Sequence, residues 1–190
     1  YFEARPEVFF RFYKEKMLWL DAKPNAAHRT LARLEEAGHL AAVVTQNIDG
    51  LHQAAGSRTV YELHGSVHRN YCTKCHIFFD ARYVKEADGI PLCDVCGGVV
   101  KPDVVLYEEP LDPAVVSGAV EMISKADLLM VGGTSLVVYP AAGLLRYYGG
   151  DRLVLINKTP TPYDGAADLI LSGKIGELLG QIDLEGKDRP

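Results

Sequence analysis

The sequence predicts an α/β protein built on a doubly wound parallel sheet, with a small zinc-binding insertion. Short continuous apolar runs alternate with helical segments along most of the 190 residues. Such runs suit strands that are buried on both faces of a parallel sheet. Between residues 72 and 101 the alternation stops, and four cysteines stand in a turn-rich segment. The two patterns separate a sheet domain from an inserted module.

Two helical patterns open the chain. Pro6 suits a first helical turn, and an apolar surface continues as far as Leu20. Pro24 starts the second helix, and Gly38 fits its C′ position, where a positive φ is required.

The predicted strands share one signature, a short apolar run. They cover residues 40–45, 104–106, 127–131, 153–156 and 169–171. Helical segments at Pro113–Lys125 and 140–148 separate them, so right-handed crossovers and a parallel sheet are expected. We therefore predict a Rossmann-like domain over 21–71 and 102–190 and a zinc-ribbon module over 72–101. A helical segment over 1–20 belongs with the small domain.

Charge and hydropathy disfavour several classes of partner. The formal net charge is −5, which argues against a general binder of nucleic acid or anionic membranes. No apolar run reaches the roughly 18 residues of a membrane span. The charged residues of the 72–101 segment sum to zero, so a nucleic-acid-binding ribbon is disfavoured as well. We expect a monomer that binds neither nucleic acid nor membranes.

The cysteines form two C-x₂-C pairs, Cys72/Cys75 and Cys93/Cys96, with 17 residues between the pairs. Four thiolates at this spacing can close a tetrahedron around one Zn²⁺, which makes the site structural. The alternative to a zinc site is that the cysteines bind no metal and are either reduced or paired in disulfide bonds. Because a zinc site favours a reducing compartment, we expect the protein in the cytoplasm.

Polar residues follow three of the predicted strands. Gln46, Asn47 and Asp49 come after the first strand, a Gly132–Ser135 turn follows the 127–131 strand, and Asn157 follows the 153–156 strand. Ligands of open α/β sheets bind beyond the carboxyl ends of strands, and Gly-rich turns let phosphate approach the backbone. The sequence therefore predicts a nucleotide-sized ligand at this edge.

His64 is the candidate general base among six histidines. It stands between Leu63 and Gly65 after a short strand-like segment, whereas the other five lie in helical patterns or beside the cysteines. An imidazole titrates near neutral pH, which suits a general base.

Together these motifs resemble the sirtuins, the NAD-dependent protein deacylases, of bacterial or archaeal type. The resemblance rests on Thr45-Gln46-Asn47-Ile48-Asp49, Leu63-His64-Gly65, the paired cysteines, Gly133-Thr134-Ser135 and Ile156-Asn157, in that order. It runs from about Pro24 to Leu179, nearly the whole chain.

The resemblance implies a role for each matching residue. His64 is the base that activates a ribose hydroxyl, after the acyl-lysine oxygen has expelled nicotinamide from NAD. Asn47 and Asp49 line the nicotinamide pocket and count with His64 as catalytic. The NAD-binding set implied by the resemblance is Gln46, Asn47, Ile48, Asp49, His64, Gly133, Thr134, Ser135 and Asn157.

The resemblance also implies a peptide substrate. Two segments are similar to the strands between which an acyl-lysine peptide adds as a third strand. They comprise Val104, Val105, Leu106 and Tyr107, and Val137, Val138 and Tyr139. In strand addition, main-chain hydrogen bonds supply affinity with little demand on peptide sequence.

The chain departs from the sirtuin pattern in two places. The Gly-Ala-Gly-x-Ser and Gly-Ile-Pro-x-Phe-Arg motifs, which accompany the first strand and help to hold NAD, do not occur in it. We expect a segment bearing them ahead of Tyr1; the alternative is a fragment with an incomplete site. In addition, Tyr107-Glu108-Glu109 stands where many sirtuins have Phe-Gly-Glu.

The leading hypothesis is an NAD-dependent protein-lysine deacylase, most simply a deacetylase, that yields nicotinamide, free lysine and 2′-O-acyl-ADP-ribose. Two alternatives remain. One is transfer of ADP-ribose to protein, and the other is a non-catalytic zinc-containing fragment that binds a peptide.

Overall fold

A computed structural model of the chain describes residues 2–137 and 139–184, in which helices and strands alternate. The helices are α1 Pro6–Lys16, α2 Ala26–Glu36, α3 Leu51–Ala54, α4 Ala81–Glu86, α5 Pro113–Lys125 and α6 Ile175–Leu179, with 3₁₀ helices at Ala141–Tyr147 and Asp164–Ala166. The strands are β1 Val43–Thr45, β2 Val60–Glu62, β3 Gly65–Cys72, β4 Phe78–Phe79, β5 Val100–Val104, β6 Leu129–Gly132, β7 Leu153–Asn157 and β8 Leu169–Ser172.

The chain divides into two compact units. The cysteine-bearing unit comprises Tyr1–Ala22, Asn47–Gly50 and His64–Pro110. The parallel-sheet unit comprises Lys23–Gln46, Leu51–Leu63 and Leu111–Pro190. The predicted domain boundaries near residues 71 and 102 fall within β3 and β5, so the compact cysteine-bearing unit extends beyond the inserted segment in both directions.

Within its described residues, the parallel-sheet unit holds five parallel strands. β1 and β2 pair in register from Val43–Val60 to Thr45–Glu62. β7 lies between β6 and β8 and pairs with both in parallel. The described strands thus form a two-stranded and a three-stranded parallel sheet where one sheet was predicted. The predicted α/β class with parallel pairing is confirmed.

Helices cover both faces of the three-stranded sheet, because alternate residues of each strand point to opposite sides. On one face, Met130, Val154 and Ile156 pack with residues of α2 and α6. On the other face, Leu129 and Leu153 pack against the 3₁₀ helix, and Leu129 also contacts α5. This layering is the doubly wound arrangement that the alternation of segments predicts.

Side-chain and glycine caps set the helix ends. The Asp112 carboxylate accepts hydrogen bonds from the backbone N–H groups of Ala114 and Val115, which starts α5 at the predicted Pro113. At the end of α2, Gly38 has the expected positive φ of +77°.

The first strand is shorter than the predicted 40–45, because Leu40 belongs to the cap of α2. Gly38 donates its N–H to the Glu35 carbonyl (3.0 Å), and His39 donates to Leu34 (2.8 Å), which is a Schellman motif. Leu40 also donates to the Leu34 carbonyl (3.1 Å), so β1 begins only at Val43.

The prediction of a parallel strand at residues 104–106 is wrong. β5 ends at Val104 and pairs antiparallel with β3, in a three-stranded sheet of order β4-β3-β5. A short apolar run indicates burial but not the direction of pairing, and Pro102 suits the edge position that β5 occupies. Similarly, the helix predicted at 140–148 is a 3₁₀ helix, and the first helix ends at Lys16 before reaching Leu20.

The cysteine-bearing unit has its own core. Phe10, Tyr13 and Leu18 from the N-terminal segment pack with Val67 of β3 and Val100 of β5. Because Cys72 and Cys93 belong to the same buried cluster, the cysteine module shares its interior with α1. None of the helices within the described residues is both long and apolar enough to cross a bilayer.

Candidate active site and metal centre

The polar loop after β1 is held against β3. Gln46 follows β1 in the parallel-sheet unit, and Asn47 begins the part of the loop that belongs to the cysteine-bearing unit. The Ile48 carbonyl accepts a hydrogen bond from the Val67 N–H (3.0 Å), and the side chain of Ile48 packs on the core of that unit. The Asp49 carbonyl lies 3.0 Å from Nε2 of His68. Two successive loop residues are therefore anchored to β3.

His64 lies immediately before the same strand. Its carbonyl accepts a hydrogen bond from the Val105 N–H (3.0 Å), and its side chain is half-buried. Gly65 follows with a φ of +75° and pairs with Val104 of β5. Strand β3 thus brings together His64, the loop at 47–49 and the start of the segment at 104–107.

Gly65 permits a close approach of two backbones beside His64. A Cβ atom built on Gly65 would lie 2.0 Å from the Asp103 carbonyl oxygen. That distance is well inside van der Waals contact, and the obstacle is backbone, which cannot move aside as a flexible side chain can. Only glycine therefore fits at the first position of β3, directly after His64.

Substituting Gly65 with alanine should lower the free energy of unfolding by about 2–4 kcal/mol, since the change combines a steric clash with an unfavourable φ. Urea denaturation measures the loss. Gly89→Ala is the matched control, because Gly89 also has a positive φ (+65°) but nothing lies within 4 Å of an added Cβ. This variant should lose only about 1–2 kcal/mol. Equal losses in the two variants would contradict the steric argument.

A second group of predicted site residues meets at the carboxyl ends of β6 and β7. Gly132 pairs with Ile156, and the Gly133 N–H donates to the Ile156 carbonyl (3.1 Å). Nδ2 of Asn157 donates to the Thr134 carbonyl (2.8 Å), so the loop after β7 holds the loop after β6.

The chemistry of this paired loop fits a nucleotide. Gly133 has a φ of +67°, and an added Cβ would meet nothing within 4 Å, so there is space for a ligand beside it. Oγ1 of Thr134 accepts a hydrogen bond from the Leu136 N–H (3.2 Å), which orders the turn, while Ser135 is exposed. Exposed hydroxyls and a Gly-rich turn at the ends of parallel strands suit the ribose and phosphate groups of a nucleotide.

The two segments implied for the peptide substrate differ in exposure. Val104 is buried in β5, Val105 and Leu106 are half-buried, and Tyr107 is fully exposed. Val137 and Tyr139 are exposed and lie outside any strand, while Val138 lies outside the described residues. A hydrogen bond to Tyr139 raises the pKa of Tyr163, which packs among the residues around β7.

The four cysteines form a metal-sized cluster. All four Sγ atoms lie within 4.8 Å of one another; the Cys72–Cys96 and Cys75–Cys96 distances are 3.4 Å, and the Cys75–Cys93 distance is 3.6 Å. Tetrahedral Zn–S bonds of about 2.3 Å place sulfurs about 3.8 Å apart. A disulfide bond is only about 2.05 Å long, so these separations fit a Cys₄ zinc site and exclude disulfide pairing.

The thiols of this cluster do not ionise alike. The backbone N–H of Cys75 and then that of Lys74 lower the pKa of the Cys72 thiol to about 6, against the opposing effect of desolvation. A hydrogen bond from the Ile77 backbone acts to lower the pKa of Cys75, but desolvation and the neighbouring thiols raise it to about 12. Of these two thiols Cys72 therefore ionises first, and the positive charge of a bound Zn²⁺ would stabilise the Cys75 thiolate.

Comparison with known proteins assigns the chain to a family. A sequence profile of the Sir2 family matches residues 1–140. This chain belongs to the Sir2 family. A Clostridium perfringens (strain 13 / Type A) protein of this family, named NAD-dependent protein deacetylase, is 61% identical over 183 residues. The match covers 96% of this chain and 75% of the relative.

Solved Sir2 structures share the fold. One, described as "Sir2-p53 peptide-NAD+", superposes with a TM-score of 0.88 at 43% identity, covering 94% of this chain and 77% of that one. Another holds Sir2 with the inhibitor EX-527, 2′-O-acetyl-ADP-ribose and deacetylated p53 peptide, with a TM-score of 0.87 at 43% identity. It covers 94% of this chain and 79% of that one.

Two residues that position the site are not indicated by the sequence motifs. The motifs place His68 at the edge of the zinc module, whereas its Nε2 lies 3.0 Å from the Asp49 carbonyl. Gly65 was noted only as a neighbour of His64, although it allows β3 to approach Asp103. A glycine that directly follows a candidate base and opens a strand is a signal for such an approach. For His68 the sequence carries no comparable signal, because 19 residues separate it from its partner.

Proposed function

We propose that this chain catalyses NAD-dependent removal of acetyl groups from lysine side chains of proteins. The observation that carries the proposal is that β3 holds His64 and the loop bearing Asn47 and Asp49 in one compact unit. The relatives named NAD-dependent protein deacetylase support it, as does the Sir2 structure with acetyl-ADP-ribose and deacetylated peptide.

In this proposal each group of residues has a separate task. Bound NAD supplies an electrophilic ribose carbon and a leaving nicotinamide. His64 acts as a general base and removes a proton from a ribose hydroxyl, for which its imidazole must be neutral. Asn47 and Asp49 orient the nicotinamide end together with Gln46 and Ile48. Gly133, Thr134, Ser135 and Asn157 hold the phosphate and adenosine portions.

The peptide substrate is proposed to add as a strand beside β5. β5 forms one edge of the β4-β3-β5 sheet, and edge strands present unpaired backbone groups to an incoming chain. The Val105 N–H is already used by the His64 carbonyl, which ties the peptide-binding segment directly to the proposed base. An acetyl-lysine held along this segment would therefore lie near His64.

The test is a product analysis of the zinc-loaded full-length protein with NAD and an acetyl-lysine peptide. We expect equal amounts of nicotinamide, unmodified lysine peptide and O-acetyl-ADP-ribose by mass spectrometry. A peptide that gains an ADP-ribose unit would instead indicate ADP-ribosyl transfer. Peptide binding without any turnover would indicate the non-catalytic alternative. Omitting NAD is the control and should abolish all products.

We further infer that the protein acts in the cytoplasm as a monomer. Four clustered thiols with no disulfide among them suit a reducing compartment. Fractionation of cells tests the location, and sedimentation of the purified protein tests the oligomeric state.

A further inference from the structure

Glu108 adopts a backbone conformation that rarely suits a side chain. Its φ is +75°, in the left-handed region that glycine favours. The Glu109 N–H donates to the Leu106 carbonyl (3.0 Å), which closes a four-residue turn with Glu108 at its third position. Tyr107 at the second position has no positive φ, so the turn matches type II, in which the third position prefers glycine. A glutamate thus occupies a glycine position.

The carboxylate of Glu108 does not stabilise this turn. That task falls to Glu109, whose Oε2 accepts hydrogen bonds from the Leu106 N–H (2.9 Å) and from Nζ of Lys101 (3.1 Å). Glu108 is exposed, and within the described part of the chain its carboxylate has no hydrogen bond or ion pair. Glu108 thus has an unfavourable backbone conformation, and its carboxylate does not stabilise the fold. Such residues cluster at functional sites, which suggests that this carboxylate contacts a binding partner.

The turn lies where the peptide substrate is proposed to bind. It starts at Leu106, two residues after the end of the edge strand β5, and Tyr107 beside Glu108 is fully exposed. An exposed carboxylate at this position attracts cationic side chains of a bound peptide and repels acidic ones. The other carboxylate of the turn, Glu109, is already engaged by Lys101.

We propose that Glu108 is a specificity-determining residue that selects acetyl-lysine substrates with lysine or arginine close to the modified residue. This inference rests on the proposed function, because it places the peptide along residues 104–107. A solvent-exposed ion pair changes affinity by about two- to five-fold. The effect should fall on KM rather than kcat, since Glu108 is not among the groups proposed to act on the reacting atoms.

The experiment compares three acetyl-lysine peptides that differ only in the residues flanking the acetyl-lysine, which are arginine, glutamine or glutamate. With the zinc-loaded full-length protein at low salt, kcat/KM should be about two- to five-fold higher for the arginine peptide than for the glutamine peptide. Glu108→Gln keeps the side-chain size and should abolish the preference, and Glu108→Lys should reverse it. Glu86→Gln is the matched control: it removes an exposed carboxylate from α4 in the same unit and should leave the preference intact.

The outcomes separate this inference from the proposed function. A preference for arginine that survives in Glu108→Gln, or an unmodified protein without any preference, would overturn the role of Glu108. If the glutamine peptide is not deacetylated at all, the proposed function fails, and fluorescence anisotropy of the same labelled peptides decides the role of Glu108. If the unmodified protein binds the arginine peptide more tightly and Glu108→Gln does not, the role of Glu108 is supported. If the two proteins show the same preference, or neither shows one, the role is overturned.

Discussion

Replacing His64 with alanine should lower the rate of NAD-dependent deacetylation by about a hundred- to ten-thousand-fold, the range that general-base catalysis contributes. The substitution leaves the backbone contact of His64 in place, since the Val105 N–H donates to the His64 carbonyl, which alanine also carries. The loss should therefore appear in kcat, with a KM for peptide close to that of the unmodified protein. Steady-state assays of lysine-peptide formation measure both values.

His39→Ala is the control for this variant, since His39 is exposed at the end of α2 and contributes only its backbone N–H to the helix cap. It should retain full activity. A His64→Ala protein that folds normally and keeps more than about a tenth of the original kcat would remove His64 from the role of base.

Replacing Cys96 with serine should abolish stoichiometric zinc binding and lower the free energy of unfolding by more than about 4 kcal/mol, because loss of a structural metal belongs to the most destabilising changes. Cys96 is exposed, so the substitution removes a zinc ligand without opening a cavity in the core. The packing of α1 should also be destabilised, because Cys72 and Cys93 share a buried cluster with Phe10 and Tyr13. Metal analysis and urea denaturation measure the two effects.

The matched control is the neighbouring Val95→Ser. Val95 is 68% exposed and is not one of the four clustered ligands, so this variant should keep one zinc and unfold within about 0.5 kcal/mol of the original protein. Full zinc content in Cys96→Ser, or an unchanged unfolding midpoint, would contradict a structural Cys₄ site.

Local chemistry explains which elements could be predicted. Asp112 before Pro113 starts α5, and Gly38 ends the cap of α2, because these signals act within a few residues of chain. The cysteine spacing likewise predicts four ligands around one point, and the sulfurs do cluster within 4.8 Å. Each of these predictions needs only the order of nearby residues.

The errors arose where distant segments decide the outcome. Residues 104–106 have the apolar character of a buried strand, but the pairing of β5 with β3 makes the strand antiparallel and ends it at Val104. The apolar run at residues 40–45 predicts a strand over its whole length, whereas the Leu40 N–H donates to the Leu34 carbonyl in the cap of α2 and β1 begins at Val43. The apolar character of a segment therefore indicates neither the direction in which a strand pairs nor the residue at which it begins.

The sequence by itself determined the α/β class and the clustering of the four cysteines, and its resemblance to the sirtuins implied the candidate catalytic and NAD-binding residues. These follow from hydrophobic periodicity, from ligand spacing and from motifs read along the chain. Only the tertiary structure showed that Val67 and His68 anchor the loop at Ile48 and Asp49 and that Gly65 lies against Asp103. It alone showed that Glu108 has a positive φ. These features depend on contacts between distant residues or on the backbone path those contacts impose, and no local pattern encodes either.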